Sequence, residues 1–338
     1  MRIALDAMGG DFAPGPIVLG AIQAVQKDPG MHVVLVGDQA QIEPLLASAQ
    51  DVRDRLEIFH ASQVVAMDDS AALAFRKKPD NSISRCWQLL SQRKVEAIVS
   101  AGHTGAMVAG GFLLRLFLKG VKRPGIAALM PTAQGLSVLL DVGANVHPKP
   151  EHLYQYGVMG SIFAKHILQR DKPKIGLLNV GSEEDKGNEL SKDTADLFRN
   201  SPLKDQFIGN IEGRDIHKGV CEVIVTEGFV GNVVLKVCEG VFEFVMKVVG
   251  KEVLSSLKTE VPLAQMALQN IVKRYDYHEL GGALLLGVDG VCIICHGSSK
   301  ERAIENALHV AAKHVRAKLN ELIVSELAAS TPKSADPQ

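Results

Sequence analysis

Six short apolar runs in this chain each end in a polar, mostly glycine-containing loop: 6–11, 100–105, 141–145, 179–188, 226–232 and 296–299. Segments with helical spacing alternate with the runs. That alternation predicts βαβ units and a mostly parallel sheet. In an open parallel sheet, ligands bind outside the carboxyl ends of the strands. Loops after parallel strands share one edge, so the six are expected to converge there.

Strands are expected at 2–6, 32–36, 56–60, 97–100, 126–130, 137–141, 174–179, around Ile208, 222–226 and 290–294. Helices are expected at 16–27, 39–49, twice within 70–92 with Ser82 as a cap, from the 100–105 loop to 118, and at 152–169, 190–199 and 301–327. The 233–250 stretch is rich in valine and phenylalanine, but its charges, Lys236, Glu239, Glu243 and Lys247, fall on one helical face. It reads as a helix with one charged stripe, to be buried by its own domain or by a second subunit. A helical hairpin bending near Pro262 follows over 251–274. The length, 338 residues, allows one α/β domain over 1–328, the 233–275 appendage and a disordered tail at 329–338.

The chemistry concentrates in the loops. In the stretch LLNVGSEEDKGNE, Lys186 stands alone among Glu183, Glu184 and Asp185, between Gly181 and Gly187. It is poorly placed for a core and well placed to meet an anion at the mouth of a sheet. Glycines let backbone N–H groups approach a ligand, and helix N-termini favour anions. Several classes are excluded. The net charge is −1, so there is no global basic field for nucleic acid. Neither the P-loop nor the dinucleotide glycine fingerprint is present. There is no nucleophile elbow and no zinc-binding histidine pair on a helix. Cys292 and Cys295 spell C-x-x-C inside a strand, where their side chains point to opposite faces, so they read as core thiols. The N-terminus has no signal-peptide pattern and no run is long enough to span a membrane, so the chain reads as cytoplasmic.

The segments LDAMGGDFAPG, SAGHTGA, LLDVGANV, LLNVGSEEDKGNEL, GNIEGRD, GFVGNVVLK and GGALLLGVDG…HGSS, in this order, resemble the bacterial phosphate acyltransferase family. His103 departs from the asparagine usual in the second motif. The resemblance implies a three-layer α/β/α fold like that of phosphotransacetylases and the isopropylmalate-dehydrogenase group. It implies transfer of a long-chain acyl group from acyl carrier protein to inorganic phosphate, for phospholipid synthesis. It also implies a homodimer and no metal, nucleotide or other cofactor. By motif position, Lys186 and Asn232 carry over as catalytic or substrate-orienting residues. Gly102, Thr104 and Gly105 then suit phosphate, with Asn145, Asn179, Asn188, His296 and Ser298 as further substrate contacts. Asp6, Asp11 and Asp141 would orient donors, since a bare carboxylate repels phosphate.

The clusters Arg76–Lys77–Lys78 and Arg115–Lys119–Lys122–Arg123 would dock the acidic carrier. The hairpin carries Leu254, Leu257, Val261, Leu263, Met266 and Leu268 beside Lys251, Lys258, Lys273 and Arg274. That pattern suits peripheral contact with an anionic membrane, where a downstream acyltransferase would take the product. A nicotinamide-dependent dehydrogenase of the related fold and a non-catalytic carrier or membrane adaptor are the competing readings.

Overall fold

Alternate side chains of the apolar runs go to two separate cores, which makes those runs strands. In β1 (Arg2–Asp6), Ile3 and Leu5 join one core and Ala4 the other. β2 (His32–Gly37) divides the same way, with Val33 and Leu35 opposite Val34 and Val36. The computed structural model describes residues 1–257, 259–275 and 280–330. Along the chain α1 (Gly15–Lys27) links β1 to β2, and α2 (Gln39–Ile42) leads to β3 (Leu56–His60). Then come α3 (Ala71–Lys77), α4 (Ser82–Ser91), β4 (Ala97–Ser100), α5 (Thr104–Leu113), β5 (Gly125–Thr132), β6 (Gly135–Leu140) and α6 (Pro150–His166). They are followed by β7 (Ile175–Leu178), α7 (Glu189–Arg199), β8 (Phe207–Ile211) and β9 (Val223–Val225). The hairpin is α8 (Gly228–Ser256) and α9 (Val261–Tyr275); β10 (Ala283–Leu286), β11 (Val291–Ile294), α10 (Glu301–Arg316) and α11 (Leu319–Ser330) complete the described chain.

Among the described residues, eleven strands form one sheet in the order β3-β2-β1-β4-β11-β10-β5-β6-β9-β7-β8. Helices α1, α6, α10 and α11 bury one face, α4 and α5 the other, giving three layers as expected. Cys292 and Cys295 are buried in opposite cores as free thiols.

The sheet is parallel in two arms, but not across its centre. β10 is antiparallel to both β11 and β5, and β5 is antiparallel to β6. The arm β3-β2-β1-β4-β11 therefore runs opposite to the arm β6-β9-β7-β8. The expectation of six loops on one edge is corrected. Loops 6–11, 100–105 and 296–299 leave one edge, and loops 141–145, 179–188 and 226–232 leave the other. Strand β10, from the run ALLL, is the element the sequence reading missed.

Other differences have local causes. The helix expected over 39–49 stops at Ile42 and continues as a 3-10 turn through Pro44. Ser82 does not cap α4; Asn81 does, accepting the Ser84 N–H at 2.7 Å. The helix after loop 100–105 ends at Leu113, just before Arg115 takes φ 48°. The long C-terminal helix is broken at Lys318, φ 52°. α11 reaches Ser330, so the start of the expected tail is helical; residues 331–338 lie outside the described residues, as do Lys258 and the side chains of Lys273 and Arg274.

His314 of α10 is 3% exposed and meets Phe163 of α6 edge-on. Its Nδ1 has no hydrogen-bond partner among the described residues. Burial, helped by Lys313, holds its pKa down to about 4 from 6.5. The unfolded chain therefore takes up this proton first as pH falls. Stability from this site is intact above about pH 6.5 and is lost towards pH 4, by roughly 3 kcal/mol in all. His314→Leu should flatten the pH 7-to-4 decline in urea midpoint relative to the parent; parallel declines would refute this.

Candidate active site

On the first edge, three loops are tied to one another. The Asp11 N–H donates to the Gly297 carbonyl at 2.8 Å. Ser100 Oγ donates to the buried Asp6 carboxylate at 2.7 Å and accepts the Gly102 N–H at 2.9 Å. Burial pushes the Asp6 pKa up, against hydrogen bonds led by Ser82 and Ser100. The Gly102 N–H is thus spent inside the protein and is not aimed at phosphate. His103 caps α5: its Nδ1 accepts the Ala106 N–H at 3.2 Å and its Nε2 donates to the Asp69 carbonyl at 3.0 Å. The imidazole thereby does the capping work of an asparagine. The first-turn N–H groups of Thr104 and Gly105 have no intrahelical acceptor. His296 Nδ1 lies 2.7 Å from Ser298 Oγ and accepts the Ser298 N–H at 3.3 Å.

On the second edge, Asp141 is the brace. Its carboxylate accepts N–H groups from Ile126 (3.0 Å), Gly143 (3.1 Å), Ala144 (2.9 Å) and Asn145 (2.7 Å), and the Asn145 side-chain amide (3.3 Å). Burial pushes its pKa up, but each oxygen faces only donors, which favours the ionised form. The Asn145 amide also donates to the Pro124 carbonyl and Tyr156 Oη, both at 2.7 Å. Asn145 therefore holds the loop. Helix α8 packs directly onto it: a Cβ on Gly231 would lie 1.9 Å from the Asp141 carbonyl oxygen. The Glu227 carboxylate caps α8 by accepting the Phe229 and Val230 N–H groups, so that helix end already has its anion. One turn in stands Asn232, half-buried beside Gly143, its amide unpartnered among the described residues.

Lys186 sits on an exposed but tethered loop. Asn179 donates to the Lys186 carbonyl at 3.2 Å, and Asn210 donates to the Glu183 carbonyl at 2.8 Å. Asn188 caps α7, accepting the Ser191 N–H at 2.9 Å. Gly187 has φ +92°, and a Cβ there would lie 2.2 Å from Ser191 Oγ. Lys186 forms no ion pair among the described residues, whereas nearby Glu184 meets Arg199.

Two cavities result. One of about 420 Å³ is lined by Asn179, Asn188, Ser191, Thr226, Glu227 and Val230. The other, about 130 Å³, lies over the antiparallel centre. It brings Thr104 and His296 of the first edge against Asn232, Lys236 and Glu239 of α8, with Ile126, Ala128 and Ala283 beneath. Lys186 lines neither. The sequence reading missed Lys236 and Glu239 as site residues. Burial raises the Glu239 pKa, Lys236 lowers it and Glu243 raises it. Their signal was the shared helical face with Asn232, four and seven residues on. No metal-binding cluster of His, Cys, Asp and Glu occurs among the described residues.

A family model described as fatty acid synthesis protein matches residues 1–322. A phosphate acyltransferase of Heliobacterium modesticaldum is 50% identical, over 94% of this chain and 94% of its own. One of Dictyoglomus turgidum is 45% identical, over 97% and 98%. Among solved structures, a phosphotransacetylase from Staphylococcus aureus superposes with TM-score 0.59 at 13% identity, over 94% of each chain. One from Streptococcus pyogenes gives TM-score 0.59 at 16% identity, also over 94% of each. At such identities the structural likeness speaks for the fold alone.

Replacing Asp141 by Asn turns one acceptor oxygen into a donor that faces N–H groups. Asp141→Asn should lose on the order of 3 kcal/mol in urea denaturation. A midpoint equal to the parent's would count against the carboxylate brace.

Proposed function

The chain belongs to the fatty acid synthesis protein family, its relatives are phosphate acyltransferases, and we infer that it moves a long-chain acyl group from acyl carrier protein to inorganic phosphate. The acyl phosphate so formed serves phospholipid synthesis. A phosphate oxygen attacks the thioester carbonyl carbon, and the carbonyl oxygen takes up negative charge. The C–S bond then breaks and the carrier leaves as a thiolate; the reverse reaction retraces these steps. Phosphate is already anionic at neutral pH and a thioester is already activated, so no protein nucleophile is needed. What the protein must supply is positioning and oxyanion stabilisation.

The observation that carries the residue assignment is the unpartnered Asn232 amide, facing the same cavity as Thr104 and His296. Asn232 is the oxyanion donor in this reading. The first-turn N–H groups of Thr104 and Gly105 take phosphate, and His296 with Ser298 lies beside them. Lys186, on an exposed loop held by Asn179 and Asn210 outside both cavities, is the cation that would have to swing in to meet the phosphate or the oxyanion. Asp6, Asp11 and Asp141 act behind these groups. The dehydrogenase and adaptor readings draw no support from the relatives. For the carrier, Lys78 is engaged by Asp69 and Lys122 by Glu151. Arg76, Lys77, Arg115 and Lys119 form no ion pair among the described residues and are the docking groups we propose.

Lys186→Ala should abolish most acyl phosphate formation while moving stability by only about 0.5 kcal/mol. Asn232→Ala should lower kcat on the order of 10²-fold. Acyl phosphate trapped with hydroxylamine reads both. Parental turnover in a folded Lys186→Ala protein refutes its role, and for Asn232 a change confined to KM does so. In the same assay, the parent's KM for the carrier should rise with salt.

Among the described residues no helix is long and apolar enough to cross a membrane. On α8 an apolar stripe faces outward: Val233, Val237, Val241, Phe244, Val245 and Val248 are all exposed, alongside the exposed Lys236, Glu243 and Lys247. We propose that a second copy covers this stripe. At the far end, Leu263 is 64% and Met266 55% exposed, in the first turns of α9, the end of the hairpin we propose to rest on anionic membrane beside a downstream acyltransferase. Leu263→Glu should stay a dimer and stay active but no longer sediment with anionic liposomes; Val241→Glu should sediment as a monomer. Parental liposome binding by Leu263→Glu, or a dimeric Val241→Glu, overturns the respective assignment.

A further inference from the structure

Beside the catalytic cavity lies a third, of about 110 Å³, between α8 and the end of β5. Its walls include Leu129, Met130, Leu235, Cys238, Phe242 and Tyr275. Leu129, Leu235 and Glu239 line both cavities, so the two adjoin along these side chains. Two of the polar side chains of its wall, His217 and Cys238, are satisfied against the protein itself. His217 Nδ1 donates to the Pro131 carbonyl at 2.9 Å, leaving Nε2 to accept from the Cys238 thiol at 3.3 Å. Glu239 stands at the opening to the catalytic cavity. Polar groups that already have partners cost little to dry, and apolar cavities of this size accept apolar guests.

We propose that this cavity receives the acyl chain, with Cys238 and Phe242 as specificity-determining residues. The inference rests on the acyl-transfer reading above. With the thioester carbonyl at Asn232, an apolar path leads along the inner face of α8 past Leu235 and Cys238 towards Phe242. Asn232 to Phe242 spans about 15 Å of helix, the reach of about a dozen methylenes. Short acyl groups would end before Cys238, whereas long ones must pass it.

The test compares carriers loaded with butyryl and palmitoyl groups. Cys238→Trp should lose at least tenfold in kcat/KM with palmitoyl carrier and less than threefold with butyryl carrier. Cys238→Ser should keep the parental ratio. A second measurement uses the parent alone. Cys238 is the one partly exposed cysteine, the other four being buried. Palmitoyl carrier should therefore slow iodoacetamide labelling of Cys238, read by mass spectrometry, where butyryl carrier does not. Equal losses with both chains in folded Cys238→Trp, or labelling indifferent to chain length, overturn the inference while leaving acyl transfer standing. A parent that makes no acyl phosphate from either carrier overturns acyl transfer and the inference with it.

Discussion

Three antiparallel pairings at the centre of the sheet set its two parallel arms against each other. Loops that follow β1, β4 and β11 cannot reach those that follow β6, β7 and β9 along a shared edge. A site drawing on both groups must form across the sheet's face, and something must carry residues over it. Helix α8 does this. It starts on the second edge, against the Asp141 loop, and lays Asn232, Lys236 and Glu239 opposite Thr104 and His296 of the first.

The acids crowded around a proposed phosphate site become intelligible in the same frame. Asp141 accepts five N–H hydrogen bonds, Asp6 takes the Ser100 hydroxyl, and Glu227 caps α8. Each carboxylate spends its lone pairs on the protein's own donors and fixes a loop by doing so. The repulsion towards an incoming anion is offset by the N–H dipoles gathered around each charge. Glu239 is different, because it faces the cavity and no hydrogen-bond donor among the described residues holds its carboxyl. Burial raises its pKa while Lys236, on the same face, lowers it.

Strand positions and loop chemistry were legible because short apolar runs and glycine turns are local signals. RIALD and AIVS lie in strands just where the pattern put them. Direction was not legible. Nothing local in ALLL says that it runs against both neighbours, and missing β10 was enough to merge two edges into one. The Gly102 N–H was assigned to phosphate because sequence shows a glycine but not the Ser100 hydroxyl 2.9 Å away. The charged stripe of α8 was recognised, but which way it faces depends on tertiary packing. Lys236 and Glu239 turn towards the cavity, and the valines are left outside.

That inversion ties assembly to chemistry. α8 has 29 residues, which at 1.5 Å per residue is a rod of about 43 Å. Its first turn is held by the Glu227 cap and by the contact of Gly231 with the Asp141 backbone. Only Gly228 and Gly231 are fully buried along its length; beyond them Val234, Leu235 and Cys238 rest half-buried on the core and α9 packs alongside. A small roll about the axis would carry Asn232 and Glu239 away from the cavity together, because both stand on the same rigid face. Covering Val237, Val241 and Phe244 with a second copy would remove that freedom. On the proposed dimer the apolar stripe would then belong to the catalytic design, since a partner that shielded it would also fix the angle at which Asn232 is presented.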